Sequence, residues 1–150
     1  MMQILRRILV GCLPLAAGAV LNTAVVNLPI SGMTMFLIGL ACIWLWGAAA
    51  CWAASPGEGI ALQALTLSAP GLVMLALVLY QEIILGAYWP GLPGTVSQFF
   101  FLPLLSVVLT LTQPLVAMWM ETIRLWPFYI LTWLCLLAAA WFGCWVRSRR

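Results

Sequence analysis

Five long apolar runs alternate with short breaks along this chain, at approximately residues 4–26, 33–54, 57–85, 98–120 and 127–146. Each is long enough to cross about 30 Å of hydrocarbon as a helix rising about 1.5 Å per residue. The pattern predicts an all-α bundle of about five transmembrane helices forming a single domain. The breaks carry turn and capping residues. Residues 27–32 (NLPISG) read as a turn. Ser55-Pro56-Gly57-Glu58 reads as a helix start, with Ser55 as cap, Pro56 in the first turn and Glu58 three residues on. Thr95-Val96-Ser97-Gln98 reads as a second capping box, and Pro127 suits a first helical turn. Pro14 is expected to bend the first run, while Pro103 and Pro114 interrupt the hydrogen-bond ladder of the fourth.

Within the runs, small residues recur at helical spacing. Gly11, Leu15, Gly18 and Asn22 share a face, and Ala139 and Gly143 make a small-x-x-x-small seam. Such seams allow close helix approach, and they predict a homo- or hetero-oligomer. Trp44, Trp46 and Trp52 in the second run suit the membrane interface. The third run is about 45 Å long as ideal helix, so it must tilt, kink at Pro70 or project beyond the bilayer, which places Tyr80, Gln81 and Glu82 near an interface.

Charge decides between two topologies. The ionisable residues are Glu58, Glu82 and Glu121 against Arg6, Arg7, Arg124, Arg147, Arg149 and Arg150. With five crossings and the N-terminus inside, Arg6, Arg7 and Arg124 face the three tail arginines, a tie of three to three. If residues 98–120 instead enter and return on one side, five arginines share a side and only Arg124 opposes them, which the positive-inside bias prefers. Hydropathy favours a crossing, and an irregular re-entrant backbone would need protein or water to satisfy its amides. Five crossings are therefore expected, with four plus a re-entrant segment as the alternative. Glu121 and Arg124, three apart, are placed to pair.

Composition agrees. The chain is 66% hydrophobic and 6% charged, with a mean hydropathy of +1.16, far from the roughly 25% charged of soluble domains. A multi-pass protein of a bacterial cytoplasmic membrane, N-terminus inside, is expected, with the lipid bilayer as its main partner. Leu9-Val10-Gly11-Cys12 has the letters of a lipoprotein box, but the apolar stretch after Arg7 is too short for one, and the first run reads as an uncleaved span. Cys12, Cys42, Cys51, Cys135 and Cys144 make no C-x-x-C pair, and without histidine there is no zinc set. No metal, cofactor or nucleic-acid partner is expected.

Without His, Asp or Lys, hydrolytic and transfer chemistry has only a glutamate as base, so no enzyme is expected. Residues 80–98 form the longest break. Glu82, with Tyr80, Gln81, Tyr88 and Trp89, is the candidate ligand site at the mouth of a cavity. Ser106, Thr110 and Gln113 share a face and are candidates for a polar pathway. The function expected first is a non-catalytic subunit or accessory component of a membrane assembly. The second is a small-molecule or lipid transporter or channel.

Overall fold

The structure, a computed structural model, describes residues 2–119 and 124–149; the Glu121–Arg124 pairing falls partly outside them. The described chain is all-helical: α1 (Met2–Gly11), α2 (Leu13–Asn27), α3 (Gly32–Ala53), α4 (Ile60–Leu79), a π-helical turn (Tyr80–Leu85), α5 (Leu92–Trp119) and α6 (Trp126–Ser148). Five segments are long and apolar enough to cross a membrane, namely Met2–Asn27, Gly32–Ala53, Ile60–Leu85, Gly94–Pro114 and Trp126–Ser148. The protein is a multi-pass helical membrane bundle, as its hydropathy pattern predicts.

The helix ends differ from the capping pattern in three places, each for a local reason. The first span breaks at Cys12, two residues before Pro14, where the bend was expected. Pro14 lies in the first turn of α2, where its missing N–H costs least. α4 begins at Ile60 and not beside Ser55, because Gly57 takes φ +87° and the loop is held by Gln63. The Gln63 side chain accepts from the Ser55 N–H at 2.8 Å and donates to the Ser55 and Glu58 carbonyls, both at 2.9 Å. α5 begins at Leu92, following Gly91 at φ +86°, so Thr95 is already helical and its hydroxyl donates back to the Gly91 carbonyl at 2.8 Å.

Helix packing follows the glycines. A Cβ on Gly11 would strike the Leu67 carbonyl and Pro70 of α4, and one on Gly18 would strike the Phe99 carbonyl of α5. Phe99 lies four residues before Pro103, which has no N–H to offer it. Gly143 packs against the Gly47 carbonyl, Ala50 and the Cys51 amide of α3. Trp46, expected at an interface, is instead 4% exposed, its indole donating to the Leu136 carbonyl at 2.9 Å; Trp44 and Trp52 are exposed.

These contacts order the helix ends. Arg147, near the end of α6, lines a cleft with Gln3, Arg6 and Glu58, so α1 begins and α6 finishes at one end of the bundle, here the arginine end. The backbone N–H of Leu125, the cap of α6, donates to Glu82 at the opposite end. α5 starts at that opposite end too, with Gly94 against the Trp89 carbonyl and Gln81. It then packs across α2, α3, α4 and α6. Phe100 meets Gly71, Pro103 and Val107 meet Gly39, and the Ser106 hydroxyl donates to the carbonyl of Met35, in the first turn of α3, at 3.0 Å. Residues 119–124 can span at most about 19 Å, less than the roughly 30 Å of a hydrocarbon core. Trp119 therefore also lies toward the opposite end. Both ends of the described chain thus lie at the arginine end, the placement of ends that four crossings require, while α5 contributes one of the five segments long and apolar enough to cross a membrane.

Candidate functional site

The loop end of the bundle gathers the candidate ligand residues. The π-helical turn ends at Gly86, whose φ of +64° is the left-handed conformation a glycine adopts without strain, and the Ala87 amide donates back to the Gln81 carbonyl at 3.2 Å. That reversal sets Tyr88 and Trp89 beside the turn they follow. Tyr80 and Trp89 pack ring to ring at 5.9 Å. Gln81 is fully buried; its side-chain oxygen accepts from the Trp89 N–H at 3.0 Å, while its Nε2 has no acceptor within the described chain.

Glu82 uses both carboxylate oxygens. Oε1 accepts from the Leu125 backbone N–H at 2.7 Å, and Oε2 from the Tyr88 hydroxyl at 3.0 Å. The carboxylate thus sits at the N-terminus of α6, where unsatisfied N–H groups and the helix dipole favour negative charge. Tyr88 also meets Tyr129, a residue the sequence did not single out. Partial burial, then the neighbouring Tyr129 and Glu82, push the Tyr88 phenol well above its ordinary value, so it stays a neutral donor. The structure therefore brings Tyr80, Gln81, Glu82, Tyr88 and Trp89 together, as a knot joining the α4 turn to α6.

The candidate pathway residues are not gathered in the same way. The Ser106 hydroxyl ties α5 to α3, the Thr110 hydroxyl donates to the Ser106 carbonyl at 2.8 Å, and Thr110 and Gln113 are exposed. Gln63 holds the α3–α4 loop and Thr66 bonds the Gln63 carbonyl. Of the packing residues, Gly11, Gly18 and Gly143 face other helices of the same chain. Ala139 borders an apolar cleft of about 510 Å³ between α3 and α6, with Gly47 and Ala48 beside it.

A second polar cluster, at the arginine end, was not anticipated as a site. Arg7 is buried and ion-paired with Glu58, which takes Glu58 away from the capping role its position suggested. The Arg6 guanidinium donates to the Ala53 carbonyl at 2.8 Å, closing the C-terminus of α3, and lies over the Trp52 ring at 5.0 Å. The Ser55 hydroxyl donates to the Gln3 side-chain oxygen at 3.0 Å. Its sequence signal is the Arg6-Arg7 pair, which also fits a membrane-topology role. No protein family, no curated protein and no solved structure matches this chain.

Proposed function

We propose that the chain is a non-catalytic subunit or accessory component of a membrane assembly. One observation carries the reading: the polar side chains best suited to act on a ligand are bound to other parts of the same chain. Glu82 caps α6, Gln81 holds Trp89, Ser106 holds α3 and Gln63 holds the loop before α4. A group that ties helices together is held in one geometry, which suits a scaffold better than a site that must bind and release. The helix flanks offer an apolar surface, and the α3–α6 cleft beside Gly47, Ala48 and Ala139 is open enough for a neighbouring helix to approach.

The test is the mass and composition of the particle extracted gently from its native membrane. A stoichiometric complex with other polypeptides is the expected result. A lone monomer or homo-oligomer whose solute flux in proteoliposomes falls on Glu82→Gln would replace this reading with transport.

A further inference from the structure

The arginine end carries a cleft of about 450 Å³ walled by Gln3, Arg6, Trp52, Ser55, Glu58 and Arg147. Three guanidiniums meet one carboxylate here. Glu58, the acid on the wall, is neutralised by Arg7, which lies almost wholly inside the protein and keeps Nε and Nη2 without an acceptor in the described chain. Arg6 is oriented rather than consumed: one nitrogen bonds the end of α3 and the plane rests on Trp52. Arg147 is exposed and has no acidic partner among the described residues. The cleft therefore presents positive charge, with the Ser55 and Gln3 side chains as further polar groups on its wall.

Its surroundings narrow the ligand. A second, apolar hollow of about 340 Å³ runs along α1 past Leu5 and Leu9, and it shares Gln3 and Arg6 with the polar cleft. A cationic cleft continuous with an apolar track, at the end of a membrane bundle, matches an amphiphile with an anionic head and a hydrocarbon tail. We propose that this is a binding site for an anionic phospholipid, its phosphodiester between Arg6 and Arg147 and one acyl chain along Leu5 and Leu9. Basic pockets at the ends of membrane helices recognise such headgroups through charge and hydrogen bonding. This proposal is independent of the subunit reading.

The experiment uses the full chain in detergent, with lipid retention measured by native mass spectrometry. Phosphatidylglycerol and phosphatidylcholine are the probes, and glycerol 3-phosphate is the tail-less competitor. Phosphatidylglycerol is expected to be retained in preference to phosphatidylcholine. Arg147→Gln is expected to weaken it about fivefold, from about 1 kcal/mol per arginine near a membrane surface, and to leave phosphatidylcholine unchanged. Arg124→Gln, at the opposite end, is the control and is expected to have no effect. Equal retention of the two lipids would overturn the proposal, as would equal losses in the two variants. Competition by glycerol 3-phosphate as strong as by the lipid itself would also overturn it, in favour of a soluble phosphate. Should Arg147→Gln fail to fold, the wild-type preference and its loss at high salt still decide, because a purely apolar track would show neither.

Discussion

At the residue scale, Glu82 joins two elements at the loop end of the bundle. Its carboxylate is both a cap and a brace, because the Leu125 amide it binds opens α6 and the Tyr88 hydroxyl it binds belongs to the loop after α4. Losing a capping acceptor costs about 0.5–2 kcal/mol, and the helix dipole adds to this where the cap is charged. Glu82→Ala should therefore lower the melting temperature in detergent measurably. Glu82→Gln keeps an oxygen for the Leu125 amide but sets an NH2 donor where the Tyr88 hydroxyl had an acceptor, so it should cost less than Glu82→Ala without being neutral. A ligand-binding carboxylate with no structural duty would give the reverse ranking of concerns: both variants stable and both without activity. Equal melting temperatures for Glu82→Ala and wild type would remove the capping assignment.

At the element scale, the existence of the helices was legible and their exact ends were not. Apolar runs interrupted by proline and glycine specify where a helix can lie, because backbone groups in hydrocarbon have to be bonded internally. Which residue caps each helix depends on partners distant in the chain. Ser55 and Glu58 have the spacing of a cap, yet Glu58 pairs with Arg7 and Ser55 is bound by Gln63. Likewise Trp46 looks interfacial by composition and is buried because the Leu136 carbonyl lies within reach. The small-residue stripes were legible as places of close approach, but not the identity of the neighbour. Gly143 meets α3, where any larger side chain collides with the Gly47 carbonyl and the Cys51 amide. Backbone cannot yield as a flexible side chain does, so Gly143→Leu should destabilise the isolated chain by about 1–3 kcal/mol or more. Thermal unfolding of the monomer checks this. A variant that unfolds normally and loses only assembly would place Gly143 at an interface between chains instead.

At the scale of the whole molecule, the charge pattern and the hydropathy pattern gave opposing answers about topology, and the contacts show why. Hydropathy measures only whether a segment is apolar, and α5 is apolar because it packs across α2, α3, α4 and α6. Burial against protein and burial in lipid select the same residues. The arginines respond to something else, the side of the membrane on which each end lies. Arg6, Arg7 and Arg147 gather at one end of the bundle, while Arg124 precedes the cap of α6 at the other. It follows that reporters fused before Met1 and after Arg150 should be found on the same side of the membrane, and a cysteine replacing Arg124 should react from the opposite side. This measurement discriminates cleanly, since five crossings put the two fusions on opposite sides. If the fusions do separate, α5 must reach the arginine end. The Glu82 bond to Leu125 could not then exist, because residues 119–124 are too short to return the chain across the membrane.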